Sequence, residues 1–288
     1  MLLTNATNCL HYQPSYNGGA EMVGRKIQVV IMWVVLTVVL SVAVRLFLPI
    51  APLGYDWATY FSSAHNVPAY YPPWTTAILC WLPWPVLIGL TLSTYIVAVM
   101  KRARSPMSAA CALLAIPLFW CICLGQLDGL VLLGVLGLPW LVPLVLFKPQ
   151  VAAFAILAKR KYLIVAAIFL LVSLAIWGFW PVDLFTYCQG ERSHLDIALG
   201  WYGLPLALLV LWLVPGWNED KLMLAGACIA PHLIPYHLLP LMPAIARLSW
   251  PWALAVVVAS WVPALTEQWW LVWVSVALLG AGLVRQNE

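Results

Sequence analysis

Long apolar runs separated by short groups of charged residues dominate this sequence. Between Ile27 and Pro49 the only charged residue is Arg45, and comparable runs recur along the chain. About 20 consecutive apolar residues are enough for a helix to cross the hydrocarbon core of a bilayer. Because backbone groups in lipid must be paired within the protein, helices are the expected form of these runs. We therefore predict an all-α, polytopic transmembrane helix bundle.

The composition leaves too little polar surface for an exterior that faces only water. Of the 288 residues, 64% are hydrophobic and 8% are charged, whereas soluble domains carry about 25% charged residues. The 18 Trp and 11 Tyr residues suit many membrane–water crossings, because amphipathic rings collect at the headgroup level. The 22 Pro residues predict broken or kinked helices, which membranes tolerate where neighbouring groups pair the freed backbone atoms.

Basic residues mark one face of the predicted membrane domain. The positive-inside rule assigns six basic positions to the cytoplasm: Arg25–Lys26, Lys101–Arg104, Lys159–Lys161, Lys221, Arg247 and Arg285. This assignment implies about 10 passes, half-helices included, with both termini cytoplasmic. We expect residues 1–26 to form a cytoplasmic N-terminal segment without a cleavable signal peptide. Residues 27–285 are expected to form one multi-pass transmembrane domain of the plasma (inner) membrane.

Polar interruptions of the apolar runs then fall on the opposite face. They are the loop containing Asp56, the Gln126–Asp128 turn, the Lys148–Pro149 break, the loop 181–199 and the His232–His237 break. Because these interruptions are independent in sequence and share one side of the membrane, they could line a single cavity.

Two charged residues in these interruptions are the strongest candidates for chemistry. Asp56 follows the first span, where partial burial would raise its pKa toward that of a general base. It could equally be a solvated loop residue or the N-cap of a helix that begins at Trp57. Lys148 precedes Pro149 in an apolar run, and an intramembrane cation needs a cavity or a partner. It could face an anion such as a phosphate, or extend its ammonium group to the interface.

Four further polar residues allow both a functional and a structural interpretation. Gln126 and Asp128 could line the cavity, or could simply be the polar residues of a tight turn. Arg192 and His194 could bind an anionic headgroup, or could be solvated side chains of a loop. Residue type and spacing leave these alternatives open.

A third polar group, His232, Tyr236 and His237, lies among prolines. Two histidines at this spacing could suggest a metal, but no third or fourth ligand is near them in sequence. We therefore expect a pocket lining, and predict neither a metal nor a cofactor. The chain has no Walker A, GxSxG or HExxH motif and no motif that reads nucleic acid. Nucleotide-driven and hydrolytic mechanisms and a nucleic-acid partner thus have no sequence support.

Taken in order along about residues 27–245, these motifs resemble those of a known enzyme family. It is the polyprenol-phosphate-sugar-dependent glycosyltransferases of family 87, within the GT-C superfamily of membrane glycosyltransferases. The matching motifs are Asp56 with Tyr60 and Ala64, Tyr71-Pro72-Pro73 before an apolar helix, Gly125-Gln126, Lys148-Pro149, and Pro231-His232 to Tyr236. Each motif is short, so the resemblance depends mainly on their order.

The resemblance implies a GT-C-like fold with an active site on the extracytoplasmic face. It implies an inverting transfer of a hexose such as mannose from a polyprenyl-phosphate donor to a lipid or glycan acceptor. Asp56 would be the catalytic base, Lys148 would meet the donor phosphate, and Gln126 and His232 would line the cavity. We add Arg192 as a second phosphate ligand, and expect further lining from Tyr60, Tyr71, Asp128, Tyr236 and His237.

Two other classes of protein remain open at this point. Broken helices near mid-membrane also occur in secondary transporters, and a lipid or solute transporter is one alternative. Transporters usually carry internal repeats and acids inside spans, and neither is evident in this sequence. The other alternative is a non-catalytic subunit of a membrane complex, which would have partner proteins in the bilayer. The short chain and its small loops suit such a subunit.

Overall fold

The computed structural model describes residues 18–48, 53–61, 71–79, 81–182 and 194–285. Within these ranges it is helical and contains no β-strand, which confirms the predicted all-α class. The helices are α1 (Gly18–Phe47), α2 (Pro73–Leu79), α3 (Trp84–Arg102), α4 (Pro106–Leu113), α5 (Ile116–Leu124), α6 (Asp128–Leu136), α7 (Val142–Val145), α8 (Pro149–Ala152), α9 (Arg160–Trp177), α10 (Leu204–Leu213), α11 (Glu219–Ile229), α12 (Trp250–Thr266) and α13 (Val272–Arg285). Residues Trp57–Phe61 form a π-helical turn, and 3-10 turns occupy Ala153–Ala158, Gly200–Gly203, Pro235–Leu238, Met242–Arg247 and Trp269–Leu271.

Four helical segments are long and apolar enough to cross a membrane: Ile27–Phe47, Trp84–Arg102, Pro106–Leu124 and Arg160–Trp177. Shorter apolar helices cover Pro149–Ala158, Gly200–Leu213, Trp250–Thr266 and Trp269–Arg285. These lengths support the membrane assignment, while the total of about 10 passes and the cytoplasmic termini stay predictions. Residues 1–17 of the expected N-terminal segment lie outside the described residues, and α1 begins at Gly18, before the apolar run.

The stretch after the Gln126 turn is more broken than its sequence predicts. The roughly 30 apolar residues from Gly129 to Ala158 are too many for one span, so the sequence predicts one span and a pair of half-helices that meet at Lys148–Pro149. The structure instead has three short helices, α6, α7 and α8, followed by a 3-10 turn. Prolines at 139, 143 and 149 explain the breaks, since each lacks a backbone N–H and clashes with the preceding turn of a helix.

Helix α3 is central to the fold, and α1 packs along it in the antiparallel direction. Trp33 Nε1 donates to Thr94 Oγ1 at 3.1 Å, and the hydroxyls of Thr37 and Ser93 are 2.7 Å apart. Small and hydroxyl-bearing residues are typical of helix contacts in membranes, because they allow close approach and pair polar groups. Between Ile27 and Phe47 the remaining surface of α1 is exposed and, except for Arg45, mostly apolar, as expected of a helix that faces lipid.

The two ends of α3 define two polar regions of the molecule. Its first residue, Trp84, lies against Gly54, and its last residue, Arg102, pairs with Asp220 at 3.3 Å. At 1.5 Å per residue these ends are about 27 Å apart. We call the first region the Asp56 pole, formed by Asp56, Gln126, Asp128, Lys148 and Tyr236. We call the second the basic pole, formed by Arg102, Arg104, Lys159, Arg247 and Arg285.

Candidate functional site

Two glycines bring the Asp56 loop against the end of α5. Gly54 and Gly125 have φ angles of 74° and 72°, in the left-handed region that favours glycine. The Gly54 amide donates to the Cys123 carbonyl at 2.6 Å. A Cβ atom on Gly125 would lie 2.8 Å from that of Trp57, so no larger residue fits without a shift. This close approach sets Asp56 beside Gln126.

Gln126 then joins Asp56 to Lys148. Its side-chain Nε2 donates to Asp56 Oδ2, and its Oε1 accepts from Lys148 Nζ. Lys148 Nζ also donates to Asp128 Oδ2 at 2.8 Å. The result is a continuous carboxylate–amide–ammonium–carboxylate chain, assembled from three separate interruptions of the apolar sequence. The two residues that the sequence places in one pocket, Asp56 and Lys148, are thus connected through a single side chain.

The ammonium group of Lys148 has a partner in each of three directions. Two are the oxygens of Gln126 and Asp128, and the third is the ring of Tyr236, whose centroid is 4.5 Å from Nζ. An ammonium has three N–H donors, so this environment can satisfy all of them. Both Lys148 and Asp128 are buried. Lys148 is therefore a paired cation, and a phosphate would have to displace one of its partners.

Of the two carboxylates in this hydrogen-bonded series, Asp56 is the accessible one, because the residue is only half-buried. Burial raises the pKa of its carboxyl group above the ordinary value, while the charge of Lys148 and the Gln126 hydrogen bond oppose that rise. The helical turn already includes Tyr55, so Asp56 is not the residue that precedes it. The side chain is directed to Gln126, which favours the functional over the N-cap interpretation.

Aromatic rings continue from Lys148 toward the 194–199 segment. The rings of Tyr236 and His237 have centroids 4.7 Å apart, and those of His237 and His232 are 5.6 Å apart. His237 Nδ1 accepts a hydrogen bond from the Ile234 amide at 3.1 Å. Because that amide can only donate, Nδ1 carries no proton. All three residues predicted from the proline-rich break thus lie in one contiguous group.

Asp196 is the member of this group that sequence reasoning did not select. Its Oδ2 lies 3.0 Å from His232 Nδ1, and its Oδ1 accepts from the amides of Leu233 and Ala198. Burial by itself would raise the pKa of Asp196, but these hydrogen bonds outweigh it and lower the pKa. The carboxylate thereby fastens the 194–199 segment to the His232 break.

The remaining predicted site residues are placed less closely. Tyr60 and Tyr71 both pack near Phe61, with ring centroids 6.3 Å and 5.3 Å from it. His194 is exposed. Arg192, the second predicted phosphate ligand, lies outside the described residues. Among the residues that are described, no group of three or more His, Cys, Asp or Glu side chains is arranged to hold a metal ion.

An apolar cavity of about 600 Å³ begins near the Asp196–His232 pair. Helices α10, α11 and α13 supply its walls, which are Leu, Val, Ala, Gly, Cys and Trp residues. At one end Trp273 donates from Nε1 to the Ile197 carbonyl at 3.0 Å, beside Asp196. At the other end is Val284, so the cavity extends about 17 Å along α13.

Comparison with known proteins adds no assignment to this geometry. No protein-family model, no curated protein and no solved structure matches the chain. The resemblance to family 87 and the roles assigned to individual residues therefore stay predictions. The structure defines the class of protein, a helical protein with membrane-spanning character and a buried acid–amide–amine cluster. Its function has to be argued from that cluster.

Proposed function

We propose that this chain is a membrane glycosyltransferase that moves a hexose, with mannose the expected sugar, from a polyprenyl-phosphate donor to a lipid or glycan acceptor. The observation that carries the proposal is the Asp56–Gln126–Lys148 chain, in which a half-exposed carboxylate is held in place from the buried side. The proposed orientation puts Asp56 on the extracytoplasmic face of the plasma (inner) membrane. Both termini are then cytoplasmic, after about 10 passes.

Asp56 is the proposed catalytic base. It takes the proton of the acceptor hydroxyl while that oxygen forms a bond to the anomeric carbon of the donor. The bond from the anomeric carbon to the phosphate oxygen breaks, and its electron pair leaves with the polyprenyl phosphate. A pKa raised by burial suits this task, because a carboxylate whose pKa is closer to the working pH is a stronger base. Of the two carboxylate oxygens of Asp56, Gln126 hydrogen-bonds only to Oδ2.

Lys148 is proposed to act mainly through Gln126 and through its charge. Asp56, Asp128 and Lys148 together carry a formal charge of −1 when all are ionised, which does not by itself attract a phosphate. The Lys148 ammonium group already has Asp128 as its ion-pair partner. Direct contact with the donor phosphate is therefore assigned first to Arg192, with Lys148 contributing when the donor displaces one of its partners. Either cation would stabilise the leaving phosphate oxygen.

The apolar cavity between α10, α11 and α13 is the proposed place for the polyprenyl chain. It runs along the helices, is lined by apolar side chains and begins near the His232–Asp196 pair. A prenyl chain in this cavity would bring its phosphate to the Asp56 pole. The grouping of Arg102, Arg104, Arg247 and Arg285 at the other end of α3 supports the orientation, since basic residues favour the cytoplasmic side.

The test is sugar transfer by the Asp56→Asn variant, measured with purified protein and a radiolabelled polyprenyl-phosphate mannose. We expect transfer to fall by about 10²–10⁴-fold, as is typical when a general base is removed. Glu267→Gln is the matched control, because Glu267 is exposed just beyond the end of α12 and is not one of the cluster residues. It should transfer at the wild-type rate. Full transfer by Asp56→Asn would remove the proposed base and with it this mechanism.

The same variant should fold normally. Because burial raises the pKa of Asp56, the folded protein binds that proton more tightly than the unfolded chain does. Ionisation of Asp56 therefore lowers stability as the pH rises above the unfolded carboxyl pKa of 3.8. Asp56→Asn removes this effect, so its unfolding temperature at pH 7 should equal or exceed that of the wild type. The difference should vanish as the pH falls to the unfolded pKa.

A further inference from the structure

A polar cavity of about 350 Å³ lies at the basic pole, outside the proposed active site. Its volume falls in the range of about 300–1,000 Å³ that ligand sites in proteins occupy. Two of its lining residues are arginines, and none is acidic. The lining is formed by Arg104, Ser249, Pro251, Trp252, Gly282 and Arg285.

The arginines of this cavity differ from Arg102 and Lys159 at the same pole. Arg102 pairs with Asp220, and Lys159 pairs with Glu219 at 3.2 Å. Neither Arg104 nor Arg285 forms an ion pair with any residue that the structure describes. Their charges are thus available to a ligand. Guanidinium groups bind phosphate oxygens through two parallel N–H donors.

The start of α12 adds donors to the same cavity. Ser249 is the N-cap residue of this 17-residue helix, yet its side chain makes no capping hydrogen bond. The unpaired amides of a first helical turn attract anions. Trp252 follows within that turn, and the Arg285 guanidinium lies 5.9 Å from its ring. The cavity therefore combines two cations, a hydroxyl and a helix start.

The position of the cavity indicates where its ligand comes from. The basic pole is about 27 Å from the Asp56 pole along α3, close to the thickness of a bilayer's hydrocarbon core of about 30 Å. Trp250, at the rim, is 53% exposed, and exposed Trp residues collect at the headgroup level. The phosphates of membrane lipid headgroups lie at this same level of the bilayer.

We propose that this cavity binds the phosphate headgroup of an anionic membrane lipid, held by Arg104 and Arg285 over the start of α12. The cavity has more room than a free phosphate ion fills, and the additional space suits the glycerol part of a lipid such as phosphatidylglycerol. This site lies at the opposite pole from Asp56. It is separate from sugar transfer and does not depend on the chain being a glycosyltransferase.

Native mass spectrometry of the full chain in detergent, titrated with phosphatidylglycerol or phosphatidylcholine, tests the proposal. We expect a clear preference for phosphatidylglycerol, and a loss of affinity of about 10–30-fold in the double variant Arg104→Gln/Arg285→Gln, since a basic side chain next to an anionic headgroup contributes about fivefold. The matched control is Lys101→Gln/Lys161→Gln. It removes the same charge from two exposed residues at this pole that do not line the cavity. It should lose less than about 3-fold, because salt screens charges that do not contact the headgroup.

Three outcomes would overturn the proposal. Equal losses in the two double variants would mean that the lipid responds only to the overall charge of the pole. Equal binding of phosphatidylcholine would exclude a site for anionic headgroups. Displacement of the lipid by millimolar inorganic phosphate would assign the cavity to a free ion. The single variant Arg285→Gln, at an exposed residue in the last turn of α13, should show an intermediate loss and serves if the double variant does not fold.

Discussion

The two poles of the molecule hold charge in different surroundings. At the Asp56 pole, the side chains of Lys148 and Asp128 are 4% and 1% exposed, whereas those of Lys159 and Glu219 at the basic pole are 53% and 27% exposed. Ion pairs in water gain little, because solvent already stabilises both charges. A buried pair has lost that solvent, so each charge depends on its partner. The charges of the Asp56 pole are therefore part of the protein interior, whereas those of the basic pole lie at a surface where water or another ion can replace a partner.

Asp220 at the basic pole lies between these extremes. Its carboxylate is buried but contacts two arginines, Arg102 at 3.3 Å and Arg247 at 2.9 Å, and the Arg247 side chain is 44% exposed. If one charge were removed here, the guanidinium of Arg247 could still reach water. The comparison therefore orders three ionic groups by how much each should contribute to stability: first Lys148–Asp128, then Asp220 with its two arginines, and last Lys159–Glu219.

The largest effect is expected for Lys148→Met. This variant leaves the Asp128 carboxylate buried with no cation beside it, and removes the donor that orients Gln126. Loss of one partner of a buried ion pair typically costs about 3–5 kcal/mol, and we expect a decrease of that size in the free energy of unfolding. The measurement is reversible unfolding in mixed micelles by a denaturing detergent.

The double variant Lys148→Met/Asp128→Leu is the control for that prediction. Replacement of both buried charges by apolar groups of similar size is often neutral, so much of the lost stability should return. If the double variant is as unstable as the single one, packing rather than the unpaired charge is the cause. In that case the contrast between the poles would not rest on desolvation.

Asp220→Asn should have a smaller effect. The variant removes the charge but keeps the shape of the side chain. Of the two arginines that lose their carboxylate partner, Arg247 can still be hydrated. We expect a decrease of about 1–3 kcal/mol in the free energy of unfolding, the usual range for a buried group that loses its hydrogen-bond partner. The same unfolding assay measures it. A decrease equal to that of Lys148→Met would show that the two poles do not differ in the way proposed.

The fold could be predicted from the sequence as far as run length and proline positions determine it. The apolar run from Ile27 predicts most of α1, and Pro83 and Pro85 lie at the break between α2 and α3. Between Gly129 and Ala158 the prediction of a full span was wrong, since α6 ends at Leu136. Helix ends are the least constrained by sequence, as the start of α1 at Gly18 shows, because a helix can continue past the residues that lipid requires.

The candidate site could be predicted in its grouping but not in its pairing. Asp56, Gln126 and Lys148 were expected together because alternating passes place their loops on one side. The Lys148–Asp128 ion pair depends on how α6 packs near the start of α8, which no local pattern encodes. Asp196 gave no signal, because two of its partners are backbone amides, which every sequence supplies. Hydrogen bonds between a side chain and distant backbone amides become evident only in the three-dimensional structure.

The smallest effect is expected for Lys159→Met, which tests the exposed end of the comparison. Burial would raise the pKa of Glu219, but its own backbone amide and Lys159 lower it below the ordinary carboxyl value. The group therefore stabilises the fold at neutral pH, and this contribution is lost as the pH falls below 4.5 through the folded pKa. At pH 7 and low salt, Lys159→Met should lower the free energy of unfolding by at most about 1 kcal/mol. Since salt screens exposed charges, high salt should abolish the difference. A larger loss that salt does not change would show that the charges of this pair depend on each other as strongly as those of Lys148 and Asp128.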